Sequence, residues 1–363
     1  MLDTIRSIKT TTWLEMGLFL ALSIGWVVAY ISMDPIDGIG TDYYPTYRAG
    51  KAILDGQNPY GPEIIAEFIA TWKVPYPAVG YVYPLPLAFS MLPFSLLPLT
   101  GAIVAWILVG GLGSSAAIGL NPNWRQLVLL PLCFMPLFNA VLLKQVTLVW
   151  FAIAVLLLFS MQTERTWLVG ICIALLPMKP QVGFCFMLAG VLWAWQCNRR
   201  ALLWAAAWSL VLWGSCFLIQ PTWVSDWLAS VMRYNHIVYT AHLWPWGVLL
   251  LIVSWHLPWY TRLGVLHSLF IPIPDSYALL PLLLVWVAIG GRLAVVGSAF
   301  SWLGIVLGLP NTALVLIGTT IIPLILCSTW HWREQQRHKR ERQDNDHAAH
   351  HHWFDRDAGA FWH

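Results

Sequence analysis

Between Thr100 and Trp330, 231 residues carry only twelve charged side chains: Arg125, Lys144, Glu164, Arg165, Lys179, Arg199, Arg200, Asp226, Arg233, Arg262, Asp275 and Arg292. The apolar runs between them are of the length that crosses a bilayer, about 20 residues. Lipid offers no partner to a backbone N–H or C=O, so such runs must close their hydrogen bonds internally, as helices. The whole chain agrees: 58% of its 363 residues are hydrophobic and 10% are charged, against roughly a quarter charged in soluble domains. A water-soluble globule is excluded, and the expected fold is all-α and polytopic. The net charge of +3 is too small to point to a nucleic-acid partner.

Composition divides the chain into four parts. Residues 1–32 hold a short N-terminus and a first apolar run, Trp13–Ile31, which no small-residue cleavage site follows, so it is expected to stay as a helix. Residues 33–99 are polar and rich in Pro, Gly and Tyr, and end in a Pro-rich apolar stretch. Residues 100–330 form the helical block. Residues 331–363 hold six basic and six acidic side chains and seven of the eleven histidines; this tail cannot bury a core and is expected to be disordered or surface-lying. His350, His351 and His352 within it offer an adventitious metal site, not a functional one. The six cysteines lie in or beside apolar runs with no CxxC pair, and read as small hydrophobes. Many of the 24 tryptophans lie near predicted helix ends, where indole rings anchor at the interface.

Lys and Arg in short loops set orientation. Arg6 and Lys9 precede the first helix, and Arg333, Arg337, Lys339, Arg340 and Arg342 follow the last. Both termini are therefore expected in the cytoplasm, with residues 33–99 outside. Pro84, Pro86, Pro93 and Pro98 argue against one continuous helix there, because each removes a backbone donor; the segment is predicted to be re-entrant or in-plane. Crossings are then predicted near 101–120, 127–143, 146–161, 166–178, 182–195, 202–219 and 244–259, with two short segments flanking Asp275, then 293–307 and 312–330. The total is about 10–12. Lys144 and Lys179 fall on the outer side, where the orientation rule disfavours a cation. An anionic partner would account for them, as would snorkelling to outer lipid phosphates.

The outer loop carries the chemistry. Pro45 suits the first turn of a helix and Gly56 its end. Pro45, Ala49, Ala52 and Ile53 share one stripe, and Tyr44, Arg48, Lys51 and Asp55 another, which predicts an amphipathic helix with one wet face. Asp42 stands just before it, an ordinary N-cap position. Around it Tyr43, Tyr44, Tyr47, Tyr60, Tyr76, Tyr81 and Tyr83 offer flat faces with hydroxyl tips. A carboxylate at the membrane surface beside outward cations suits glycosyl transfer from a lipid phosphate: the base takes the acceptor proton and the cations receive the departing phosphate. Asp34 and Asp37 rival Asp42, in Asp-Pro and Asp-Gly contexts that favour turns. No Walker, dinucleotide, HExxH or GxSxG pattern occurs. His256 and His267 could ligate a haem or pigment, or simply end helices.

The ordered set resembles glycosyltransferase family 87 of the GT-C superfamily, polyprenyl-phosphate-sugar-dependent enzymes, many of them mannosyltransferases. It comprises Asp42-Tyr-Tyr-x-x-Tyr-Arg-Ala, Gly56-Gln-Asn58-Pro59-Tyr60, Tyr83-Pro84, Lys144-Gln145 and Lys179-Pro180-Gln181. The resemblance implies a GT-C-like fold and an enzyme of the plasma (inner) membrane with an extracytoplasmic active site. It further implies inverting transfer of a hexose, mannose foremost, to a lipid, glycan or protein acceptor, without a metal or other cofactor. On it, Asp42 would be the base, and Lys144, Lys179, Arg48, Gln145 and Gln181 would face the donor phosphate. Tyr44, Asn58, Tyr60, Tyr83 and His236 would shape the loop or acceptor side. The chain departs from the family pattern at Lys144, where Gly is usual, at Tyr83-Pro84-Leu85, where a Pro-Pro pair is usual, and at Leu309-Pro310-Asn311-Thr312, which lacks the expected polar or His-bearing turn. His236 and His242 are candidate substitutes for a second catalytic group.

Two other classes stay open at this point. A transporter or lipid-binding protein would use outward lysines and a broken helix, but predicts an internal repeat that is not visible. A structural subunit of a larger membrane complex, retaining a degenerate transferase fold, would accommodate the departures.

Overall fold

A computed structural model of the protein describes residues 43–72, 80–235, 243–270, 276–309 and 312–359. Among these no strand occurs, and every regular element is helical. Leu99–Leu120, Arg200–Ile219 and Leu314–Gln343 are each long and apolar enough to cross a membrane. The chain is an all-α polytopic membrane protein. The first apolar run, Asp34, Asp37, Asp42, His236, His242, Asp275, Pro310 and Asn311 lie outside the described residues.

The first described helix, α1 (Tyr44–Leu54), takes Pro45 into its first turn and ends at Gly56, whose φ of 69° lies in the left-handed region. The amide of Gly56 bonds the Ile53 carbonyl and that of Gln57 the Ala52 carbonyl, which closes the helix. Helix α2 (Pro62–Trp72) covers part of the stripe expected to be wet. Lys51 and Asp55 are exposed, but Arg48 Nε lies 2.9 Å from both Glu67 oxygens and Tyr44 Oη donates to the same carboxylate at 2.9 Å. The side expected on lipid or protein packs on a Pro-rich run that folds as α3 (Leu85–Ser90) and a single turn, Leu92–Ser95. Each has a proline in its first turn, where the missing N–H costs nothing. Replacing Arg48 with Ala is expected to lower the unfolding midpoint in detergent by an amount near 2 kcal/mol, the scale of a charge-assisted bond. Glu67→Gln, which keeps an acceptor, should lose less.

The helical block follows the predicted order with three differences. Helix α4 (Leu99–Ser115) continues as a 3₁₀ turn to Leu120. The predicted crossing 127–143 is instead two pieces, Trp124–Cys133 and α5 (Met135–Leu142), bent by 54° at Phe134. Pro136 explains the break: it has no N–H for the preceding turn, and its ring would strike the carbonyl four residues back. Then follow α6 (Val146–Gln162), α7 (Thr166–Leu175), α8 (Pro180–Cys197) and α9 (Arg200–Ser209), which runs on through a π-turn to Ile219. After α10 (Trp223–Asn235), the crossing predicted at 244–259 stops early. Helix α11 (Trp246–Val253) ends before Pro258, and α12 (Trp259–Phe270) starts afresh after it. A 3₁₀ turn Ser276–Leu282 leads into α13 (Leu283–Ile289), then α14 (Gly291–Ala299) and α15 (Ile322–Gly359). The third difference is α15, which carries helix as far as Gly359 in the tail expected to be disordered or surface-lying. No Pro or Gly interrupts the chain from Leu324 to Ala358, the apolar start supplies the nucleus, and Glu334, Arg337, His338 and Glu341 pair at i,i+3 and i,i+4 spacing.

Helix α6 is the hub, packed on α4, α7 and α8. Small residues let these helices approach closely: a Cβ at Gly110 would sit 2.8 Å from Leu148 Cγ, and Ser114 Oγ donates to the Leu148 carbonyl at 2.8 Å. The outward faces are apolar, with Leu203, Leu210 and Leu218 strongly exposed along the Arg200–Ile219 span. Three arginines lie against tryptophan rings: Arg125 on Trp124, Arg199 on Trp195 and Arg262 on Trp255.

Candidate active site

Two helix junctions bring the singled-out residues together. At the first, α5 stops and α6 begins within three residues. Lys144 N–H bonds the Val141 carbonyl at 3.0 Å and Gln145 N–H the Ala140 carbonyl at 2.8 Å, the paired closure of a helix whose next residue is left-handed. That residue is Lys144, with φ at 52°. A side chain in this conformation costs about 1 kcal/mol that glycine would not, and glycine is the residue that the family resemblance leads one to expect here. The lysine is also almost wholly buried. Its presence therefore opposes both backbone preference and desolvation. Lys144→Gly is expected to keep the turn and to weaken use of an anionic donor by about tenfold, the loss of one ~1.4 kcal/mol contact. The donor KM of the purified variant, compared with its melting curve, checks this.

At the second junction α7 tightens into a 3₁₀ turn, Leu176–Met178, and α8 starts at Pro180. Lys179 between them is extended (φ −129°, ψ 81°) as a residue before proline must be. Its carbonyl caps α8 by accepting from Val182 and Gly183. Gly183 packs so closely that a Cβ there would overlap the Leu176 carbonyl, so the junction has no slack.

From this anchored backbone the Lys179 side chain runs inward, 4% exposed. Its Nζ donates to Tyr83 Oη and to Gln145 Oε1, both at 3.2 Å. It also lies 5.0 Å from the Tyr83 ring centroid and 6.0 Å from that of Tyr277. Phenol, amide and ring faces hold the ammonium through dipoles and quadrupoles. Gln145 is thereby committed to Lys179 and makes no side-chain cap on α6. Its own carbonyl accepts from Trp106 Nε1 at 3.4 Å. The structure thus couples the Lys144-Gln145 and Lys179-Pro180 elements directly.

Tyr277 was not legible as a site residue. It sits on the Ser276–Leu282 turn, which Asn139 of α5 holds through a 2.7 Å bond from Nδ2 to Ser276 Oγ. A tyrosine two residues after an aspartate in an apolar run carries no sequence signal of its own. His267, buried beneath this turn, has Nε2 3.2 Å from the Ala278 carbonyl, and His256 Nδ1 lies 2.9 Å from the Val253 carbonyl.

The other expected residues sit elsewhere. Gln181 is exposed on the first turn of α8. Arg48 and Tyr44 are committed to Glu67, and Arg48 Nη2 to Gln57. Tyr60 is buried and donates to the Tyr83 carbonyl at 2.7 Å; Asn58 is exposed on the loop before it. Burial, followed by Cys216 and Asp226 nearby, pushes the Tyr60 phenol well above its usual range, so it stays a donor. Asp42 and His236 lie outside the described residues. No group of three or more His, Cys, Asp or Glu side chains comes together among the described residues.

The model of glycosyltransferase family 87 matches residues 81–329, well over half of the chain. The match takes in Tyr83, Lys144, Gln145, Lys179 and Tyr277 and begins after the Asp42–Tyr60 loop. No curated protein and no solved structure matches the chain.

Proposed function

The chain belongs to glycosyltransferase family 87, and from that premise we propose that it moves a hexose, mannose foremost, from a polyprenyl-phosphate donor to an acceptor on the extracytoplasmic face. As a member it is a membrane glycosyltransferase, an activity that the transporter reading does not predict. The observation that carries the finer reading is Lys179, a buried ammonium held by Tyr83, Tyr277 and Gln145, with a second buried lysine adjoining Gln145.

In this reading the acceptor hydroxyl oxygen bonds to the anomeric carbon from the face opposite the phosphate, which inverts the centre. The carbon–oxygen bond to phosphate breaks and its electron pair leaves with the polyprenyl phosphate. The hydroxyl proton passes to the Asp42 carboxylate. Lys144 and Lys179 offset charge as it develops on the leaving phosphate, in surroundings of low dielectric where each is worth more than in water. Gln145 and Tyr83 aim Lys179. Asn58 and Tyr60 shape the loop, and Arg48 and Tyr44 serve it by fixing α1 to α2. Gln181 and His236 remain proposed contacts to donor and acceptor. The cations fill the place a divalent metal has in other transferases, so no cofactor is required.

The test is transfer from radiolabelled polyprenyl-phosphate mannose, set against glucose and galactose analogues and nucleotide sugars, by purified protein in liposomes with membrane-extracted acceptors. Product from the lipid donor, undiminished by EDTA, is the expected result. Product from a nucleotide sugar alone, or full loss with EDTA, would sink it.

A further inference from the structure

The three consecutive carbonyls of the non-helical run Tyr81-Val82-Tyr83 are each fixed by a side-chain donor from another part of the chain. Ser230 Oγ donates to Tyr81 O at 2.6 Å, Trp227 Nε1 to Val82 O at 3.0 Å and Tyr60 Oη to Tyr83 O at 2.7 Å. Two of the donors come from α10 and the third from the loop after α1. A run outside helix and strand has no ladder of its own to satisfy these carbonyls, so the side chains define where the run lies. Its last residue is the tyrosine whose phenol oxygen and ring hold Lys179.

The loop that carries Tyr60 is itself clamped to α10, and Asp226 is the centre of the clamp. Its Oδ2 accepts from Gln220 Nε2, from Thr222 Oγ1 at 3.0 Å and from Asn58 Nδ2 at 3.4 Å. Asn58 Oδ1 in turn accepts from Gln220 Nε2 at 3.0 Å and from the Tyr60 amide at 2.9 Å. Asp226 is one of only two acidic residues between Thr166 and Trp330. A charged acceptor strengthens each of its bonds, and here it ties together chain segments more than 160 residues apart.

We propose that Asp226 is a positioning residue for Lys179, acting through Asn58, Tyr60 and Tyr83 to hold the ammonium where the donor phosphate binds. This rests on the reading of Lys179 given above. Asp226 touches neither substrate nor reacting atoms; it fixes the loop, the loop fixes the Tyr83 carbonyl, and Tyr83 fixes the cation. Loss of the clamp should therefore appear as weaker phosphate binding.

The experiment titrates a long-chain polyprenyl phosphate into purified protein in nanodiscs. Asp226→Ala and Tyr60→Phe are each expected to weaken binding about fivefold. In a Tyr83→Phe background, where the phenol that Lys179 grips is gone, Asp226→Ala should cost twofold or less, because the effect travels through Tyr83. An undiminished fivefold loss in that background would overturn the proposal, as would wild-type binding by both single variants. Lys179→Gln is the control on the underlying reading: binding unchanged there removes the donor role of Lys179 and the proposal with it. If Asp226→Ala does not fold, Tyr60→Phe, which removes one hydroxyl, carries the same cycle.

Discussion

Lys179→Gln is expected to lower transfer by about 10²–10³-fold, the usual cost of removing one preorganised group that meets charge developing in the transition state. Lys179 is 4% exposed, and its ammonium is held by Tyr83, Tyr277 and Gln145. Nothing needs to reorganise when the leaving phosphate gains charge. A sugar phosphodiester carries one negative charge, and the polyprenyl phosphate released carries nearly two. A cation aimed at that oxygen binds product and transition state more tightly than donor. The expected pattern is therefore a larger fall in kcat and in polyprenyl phosphate affinity than in donor affinity. Arg at this position keeps the charge but has a planar fork where the enclosure is built around a compact ammonium, so Lys179→Arg should recover no more than about a tenth of the lost rate on the same scale. Steady-state kinetics with both substrates, alongside a binding titration with polyprenyl phosphate, separate these terms. Polyprenyl phosphate affinity left intact would mean that Lys179 does not meet the phosphate.

The second large effect is expected at Asp42. Asp42→Asn keeps size and hydrogen-bonding capacity and removes only the ability to take a proton. If the carboxylate is the base, transfer falls by about 10²–10⁴-fold while donor and polyprenyl phosphate binding stay at wild-type strength. Asp34→Asn and Asp37→Asn, in turn-forming contexts, should retain most activity. A loss that moves to one of them instead reassigns the base. The Asp42 and Lys179 variants also make distinct signatures: the first alters turnover alone, the second turnover and phosphate affinity together. A chain in which both variants only fail to fold would show neither pattern, and the melting curves identify that case.

Much of the architecture follows from the sequence because it depends on local chemistry. Twelve charges in 231 residues require helices in a bilayer, since no other open element satisfies its backbone there. Pro45 and Gly56 bound α1 because one fixes φ for a first turn and the other tolerates a left-handed end. The Pro-rich stretch after Tyr83 splits into short helices for the same local reason. Where local rules compete, the sequence is less decisive. Pro136 breaks a crossing that hydropathy alone makes continuous, and Pro258 shortens another. The tail carries enough charge to suggest disorder, yet it has no helix breaker and continues from an apolar start as α15.

The site divides in the same way. Lys144, Gln145, Lys179 and Tyr83 stand out in the sequence as lone polar groups at the edges of apolar runs. Their types and positions are fixed by local constraints: a left-handed turn at Lys144, an extended residue before proline at Lys179. Which groups meet is another matter, because a hydrogen bond between residues 34 or 96 positions apart depends on how helices pack. Only the tertiary structure shows that Gln145 turns to Lys179 rather than capping α6, that Arg48 is balanced by Glu67, that Tyr277 lies beside Lys179 and that Asp226 meets Asn58. Membrane burial determines which segments are helices by the energy of single backbone groups. Close packing at small residues such as Gly110 and Gly183 then determines their relative placement, and the position of a buried cation is a consequence of that packing.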